Sequence, residues 1–399
     1  MQAINIGFFG KTNTGKSSLV NALAGQDVAI VSDQAGTTTD PVGKRMEIPQ
    51  IGPCRLIDTA GLDDSTQLGE QRTRKTRSWI NRVDLALLLF TGNCFAKLEQ
   101  ELLEEFRRLK VPVLLVHTQS DIIPLDEGLA QELSERYGVD VLEYSVALLD
   151  EAAQNELKEL LIAFMIKSIA SSPLREKRMF EGLVSAQQTV VLVCPIDQAA
   201  PTGRLILPQV MAIRDLLDRQ ATAVVLQVDQ LAAYLENHPA PDLVVTDSQV
   251  FAQVATLVPE TVPMTSFSVL LARSKGPFEA YLTGAEKIDQ LQDGDRILIL
   301  ESCTHHASCE DIGRVKLPRL FQKYTGKALR FTIIAGMDDL PEDLTDYAMV
   351  VQCGGCMINR RELLSRVNPA IERGIPVCNY GMAMAYMNRI FHRSVAPFR

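Results

Sequence analysis

The segment "GKTNTGKS", Gly10–Ser17, fits the pattern G-x-x-x-x-G-K-[ST]. An apolar run, "AINIGFFG", precedes it, and a helical pattern, "GKSSLVNALAG", grows out of it. A chain that turns through glycines from strand into helix gathers backbone N–H groups around one concavity. Gly10 and Gly15 permit the curl, and the helix N-terminus adds partial positive charge. Phosphate fits there: Lys16 can reach the β- and γ-phosphates of a nucleotide, and Ser17 offers its hydroxyl to Mg2+. A turn of this kind belongs to a parallel α/β sheet, so the motif predicts the fold class as well as the ligand.

The rest of the chain keeps the same rhythm. "CRLIDTAG", "VDLALLLFTG", "VPVLLVHTQSD" and "VDVLEYSVA" read as further strands, with helical stretches such as "KLEQELLEEFRRLK" between them. This predicts a P-loop domain over residues 1–170. "SSPLREKRMFEGL" (171–183), with a proline and a charge run, reads as a linker. "TVVLVCPID", "TAVVLQVD", "DLVVTDS" and "VPMTSF" repeat the pattern on a smaller scale over 184–270. No catalytic signature appears there, which suits a spacer or an oligomerisation surface. "RILILESC", "LRFTIIAG", "YAMVVQCGGC" and "IPVCNYG" repeat it again over 271–399. The expected architecture is α/β throughout: a P-loop domain followed by two smaller α/β domains with mainly parallel sheets. A length of 399 residues agrees, being too long for one core.

Three later loops complete the nucleotide site. "GTTTD" (36–40) follows the first helix, and Thr38 can close over Mg2+ and the γ-phosphate. "DTAG" (58–61) ends a strand: Asp58 would hold Mg2+ through water, and Gly61 would offer its N–H to the γ-phosphate. "HTQSD" (117–121) places Asp121 where it can accept two hydrogen bonds from a guanine edge. "SVA", that is Ser145, Val146 and Ala147, can meet the guanine O6. Together these elements resemble the translation-factor-like GTPases, in the group with the Era and TrmE (MnmE) families, over about residues 4–165.

The resemblance implies slow GTP hydrolysis at Lys16, Thr38 and Gly61, with Thr14 and Ser18 in the phosphate loop. It also implies a K+ ligated by Asn13, since Leu62 stands where Ras-type enzymes place a water-orienting glutamine. Asp63, Asp64 and Glu70 stay open as water-positioning groups. The chain departs from the group's N-K-x-D at Thr118 and Gln119. Weaker guanine affinity is expected there, through a lost asparagine tie and lost lysine stacking.

Net charge is −9 and the pI is near 5.2, which argues against a non-specific nucleic-acid binder. The basic run "RTRKTRSW" (72–79) reads as a solvated helix face. The longest apolar runs fall far short of the roughly 20 residues of a membrane helix. "INIGFFG" reads directly as a strand with no leader before it, so a cytoplasmic protein is expected. In that compartment the eight cysteines stay reduced, and clustered ones read as metal ligands.

"ESCTHHASCEDIG" (301–313) and "VVQCGGCMINR" (350–360) carry the clusters. Cys303, Cys353 and Cys356 each follow an expected strand. Parallel neighbours would bring the three thiols to one sheet edge, where open α/β sheets keep their ligand crevices. Zinc prefers four ligands in a closed tetrahedron. Three thiols with an open or imidazole-held fourth position suit an iron–sulfur cluster better. His305 is a candidate fourth ligand, ahead of His306 and Cys309. Cys54, Cys94, Cys194 and Cys378 lie in or beside apolar runs and read as buried, inert thiols.

A GTPase joined to a middle α/β domain and a Cys-x-His … Cys-x-x-Cys domain resembles HydF, the family of maturation GTPases and scaffolds for FeFe-hydrogenase. That family's pattern is C-x-H and, further on, H-C-x-x-C. Here "CTH" (303–305) and "QCGGC" (352–356) match, with Gln352 in place of the second histidine, which therefore cannot be a required ligand. "MTSFSVLLAR" (264–273) and "VCNYGMAMAY" (377–386) also look like family segments. The resemblance implies a 4Fe-4S cluster on Cys303, Cys353 and Cys356, and a di-iron subcluster precursor carried to apo-hydrogenase. It further implies two radical-SAM maturases as partners and dimerisation through the middle domain. Two other classes stay open: an RNA-modification or ribosome-assembly GTPase with a structural zinc in its tail, and an iron–sulfur storage protein with a degenerate GTPase. The acidic charge and the lack of an RNA-binding motif speak against the first, and the intact "GKTNTGKS" and "DTAG" against the second.

Overall fold

The computed structural model describes residues 3–24, 42–49, 51–62, 79–145, 151–172, 176–196, 203, 205–302, 312–336 and 338–399. The chain divides into two compact units, Met1–Arg175 and Glu176–Arg399.

In the first unit β1 (Ile4–Gly10), β3 (Gly52–Asp58), β4 (Leu85–Thr91), β5 (Val113–Thr118) and β6 (Val141–Tyr144) run parallel. β2 (Val42–Ile48), not among the expected strands, pairs antiparallel with β3, and the sheet order is β2-β3-β1-β4-β5-β6. β4 shows how the layers form. Leu85, Leu87 and Leu89 join one core with Leu19, Leu23, Leu161 and Met165; Ala86, Leu88 and Phe90 join another with Leu102, Leu103 and Phe106. A strand buried on both faces needs an unbroken apolar run, and the period of two sorts it between the faces. Helices Lys16–Ala24 and Glu151–Ala170 supply the first layer, Lys97–Arg108 and Glu127–Tyr137 the second. The register levels the carboxyl ends: Phe8 pairs with Asp58, Gly10 with Leu89, and Thr118 with both Thr91 and Tyr144.

The second unit holds two four-stranded parallel sheets. The first contains β7 (Thr189–Val193), β8 (Thr222–Leu226), β9 (Leu243–Thr246) and β10 (Met264–Ser266), in order β10-β9-β7-β8. The second contains β11 (Arg296–Leu300), β12 (Arg330–Ile334), β13 (Met349–Gln352) and β14 (Val377–Asn379), in order β12-β11-β13-β14. The helix Phe267–Lys275 serves both: Leu270 and Leu271 belong to the core of the first sheet, Val269 and Ala272 to that of the second. The boundary expected at 270/271 falls inside this helix.

The division between the units falls inside the linker expected over 171–183, but the linker is shorter than that. From Glu176 onward the chain belongs to the second unit, and Met179 and Phe180 are buried with Leu192 and Leu216. Two large apolar side chains anchor what its charges made look like a tether. No helix among the described residues is long and apolar enough to cross a membrane.

Candidate functional site

The loop after β1 is held from three sides. Lys16 is buried, and its Nζ donates to the carbonyls of Gly10 at 3.2 Å and Lys11 at 2.5 Å. Thr14 Oγ1 donates to Lys11 O at 2.8 Å. Lys11 Nζ itself pairs with Glu99 at 2.9 Å, a buried carboxylate from the helix Lys97–Arg108 that also accepts from Ala96 N. Sequence reading missed Glu99, because a glutamate in a first helical turn reads as surface charge. Asn13 and Ser18 are exposed on the loop and the first turn of the helix, and Asn13 has a φ of 63°.

Asp58, at the end of β3, reaches the same place. Ser17 Oγ donates to its Oδ2 at 2.5 Å, while its Oδ1 is buried with no hydrogen-bond partner among the described residues. Burial pushes the Asp58 carboxyl up, against the Ser17 hydrogen bond and the charges of Lys16 and Lys44. An orphaned carboxylate oxygen beside a serine hydroxyl is the donor set a hard cation such as Mg2+ takes. Three residues on, Gly61 lies against Thr12: a Cβ there would collide with Thr12 Oγ1 and come within 2.7 Å of Thr12 N. Only glycine lets the two loops touch.

The strand ends of β5 and β6 complete the cleft. Ser145 Oγ donates to Asp121 Oδ1 at 2.6 Å, which brings the two expected base-reading groups together. Thr118 Oγ1 donates to Thr14 O at 2.8 Å, and Gln119 Nε2 to Asn13 O at 3.1 Å. The tie expected to be lost with the asparagine is therefore made by other atoms: a shorter hydroxyl, bonded directly to the phosphate loop.

The second site lies where β11 and β13 end side by side, with Leu300 paired to Gln352. Cys353 Sγ accepts from Ser302 N at 3.1 Å and from Gln352 Nε2 at 3.3 Å, and it lies 3.0 Å from Ser302 Oγ. Cys353 and Cys356 are both half-buried. Burial raises the Cys356 thiol, the Cys353 charge adds to this, and the Lys275 charge opposes it. Gly355 adopts a φ of 64°, and a Cβ there would also press on Leu363 Cδ1 at 2.6 Å, so the turn between the thiols requires glycine. Among the described residues no three metal-binding side chains converge.

Of the other expected residues, Thr38, Val146, Ala147, Cys303, His305, His306, Cys309, Asp63, Asp64, Glu70 and residues 72–78 of the basic run lie outside the described residues. The thiols of Cys54, Cys194 and Cys378 are buried, and burial pushes them up to about 11, about 12 and about 12. Cys94 was expected to be buried and is exposed, because it follows the end of β4 in a turn.

The sheet order, the loop after β1 and the Asp58 strand end beside it define a P-loop GTPase domain, here followed by further α/β layers. A family model described as a 50S ribosome-binding GTPase matches residues 5–119. The hydrogen maturase F dimerization domain matches residues 179–276, and the hydrogen maturase F tetramerization domain matches residues 279–397. These last two together take in more than half of the chain, which belongs to the hydrogen maturase F family.

Curated relatives match at the GTPase domain. The chain is 40% identical over 122 residues to the tRNA modification GTPase MnmE of Nitrosomonas europaea, covering 30% of this chain and 27% of that one. It is 33% identical over 172 residues to MnmE of Laribacter hongkongensis, covering 41% and 38%. The chain thus spans about a third of the length of these relatives. Among solved structures, the G domain of the T. maritima FeoB iron transporter aligns at 22% identity and a TM-score of 0.31, covering 40% of this chain and 99% of that one. Era of Aquifex aeolicus aligns at 18% identity and a TM-score of 0.35, covering 64% and 98%.

Proposed function

We propose that the chain is a GTP-hydrolysing scaffold of FeFe-hydrogenase maturation, holding a 4Fe-4S cluster on Cys303, Cys353 and Cys356. One observation carries the cluster assignment. Ser302, the residue before Cys303, sits with its N–H 3.1 Å from Cys353 Sγ, so the strand end that leads into Cys303 lies beside Cys353, which supports a shared site. The donor set fits: two half-buried thiols, with N–H groups aimed at sulfur, suit an iron–sulfur cluster. Such a cluster, when bound, supplies an iron position at which a di-iron subcluster precursor can dock as cargo for apo-hydrogenase. His305 is the proposed fourth or exchangeable ligand.

In the first unit Ser17 and Asp58 would hold Mg2+, and Asn13 would hold K+. Asp121 and Ser145, with Val146 and Ala147, would read guanine. Lys16 would neutralise charge gathering on the γ-phosphate as water attacks, and Gly61 and Thr38 would grip that phosphate from the other side. The family's domain descriptions support oligomerisation of the chain through the second unit. The partners proposed are the two radical-SAM maturases and apo-hydrogenase, in the cytoplasm.

Lys16→Ala and Cys353→Ser separate the two activities. Lys16→Ala should abolish hydrolysis, which in the wild type is slow and faster in KCl than in NaCl, while its iron content stays at the wild-type level. Cys353→Ser should lose the cluster and hydrolyse GTP normally. A folded Lys16→Ala protein without iron would refute separate roles.

A further inference from the structure

Lys275 closes the helix Phe267–Lys275 and has no solvent exposure. A buried ammonium is costly unless its hydrogen bonds are met. Its Nζ donates to Ile358 O at 2.9 Å and Gly355 O at 3.2 Å. Those carbonyls flank Cys356, so one charge fixes the backbone on both sides of that thiol. Its carboxylate partner is Glu176, with Oε1 at 3.7 Å. Glu176 Oε1 also accepts from Arg360 N at 3.2 Å, at the start of the helix that follows the two-thiol turn. Lys177 N donates to Ser274 O at 3.3 Å, and Arg360 Nη1 donates to the same carbonyl at 3.1 Å. The chain's entry into the second unit, the end of this helix and the thiol loop thus meet at one buried charge.

We propose that Lys275 is a positioning residue for the Cys353–Cys356 loop, that its charge favours the reduced cluster, and that Glu176 is the counter-charge setting how strongly it does so. This rests on the cluster reading above. One-electron reduction adds negative charge to a cluster, so a cation nearby makes the potential less negative and an anion makes it more negative. Lys275 and Glu176 therefore have effects of opposite sign, which a merely structural role does not produce.

The test uses the full chain, reconstituted anaerobically with iron and sulfide and titrated with dithionite and mediators while the reduced signal is followed by EPR. Lys275→Met should hold less iron, and its potential should move to more negative values. Lys275→Arg should restore both. Glu176→Gln, which leaves the buried cation in place, should move the potential to less negative values at full iron content. Shifts of the same sign in Lys275→Met and Glu176→Gln, or no shift in Glu176→Gln, overturn the proposal and leave the cluster reading standing. A wild-type chain that takes up no iron overturns the cluster reading and this proposal with it.

Discussion

Thr118 replaces an amide with a hydroxyl, yet it bonds to Thr14 O at 2.8 Å from the end of β5. The sequence alone could not show this, because a β-branched residue at the end of an apolar strand reads as part of the core. Removing the hydroxyl strips a carbonyl of its partner, which costs about 1 kcal/mol. Thr118→Val should therefore bind GDP roughly fivefold more weakly by titration calorimetry, with the fold intact. Asp58 gives a pH test. Its carboxyl is pushed above the ordinary 3.8 by burial, so the folded state keeps the proton longer than the unfolded state. In Mg2+-free buffer, stability from this group is full at low pH and is lost as pH rises through the raised value. Melting temperature against pH should show that fall in the wild type, and Asp58→Asn should flatten it.

The described parallel strands were legible as elements from their apolar runs; a strand buried on both faces, such as β4, needs a continuous one, here "LALLLF". β2 was not: "VGKRMEI" carries three charges and a glycine in seven residues, as an edge strand can, and its antiparallel pairing breaks the βαβ rhythm. The role of the helix Phe267–Lys275 as a shared wall was also hidden, since periodicity shows that a helix is apolar but not how many cores it serves. Asn359 follows the two-thiol turn, and its Oδ1 accepts from Glu362 N at 2.8 Å, starting the helix Arg360–Glu372. Asn359→Ala should cost about 1 kcal/mol in urea unfolding, and iron uptake should fall with it if the cap also fixes the turn.

For the whole molecule, the phosphate loop and the Cys-x-x-Cys turn stand out in the sequence because glycines, a lysine and paired thiols recur there at the spacings that ligand-binding loops use. The supports do not. Glu99, Lys275 and Ser302 are common residue types whose roles come from burial and from strands distant in sequence. The phosphate loop belongs to one compact unit of the chain and the two described thiols of the Cys-x-x-Cys turn to the other. The cluster, its cargo and the redox role of Lys275 all depend on what the cysteines of the second unit hold. The decisive measurement is anaerobic reconstitution with iron and sulfide, followed by metal analysis and EPR of the reduced protein. Cys303→Ser, Cys353→Ser and Cys356→Ser should be run beside the wild type. About four irons per chain, with the signal lost in each variant, is the expected result. One zinc per chain and no iron would contradict it, leaving a GTPase with a zinc-stapled C-terminal domain.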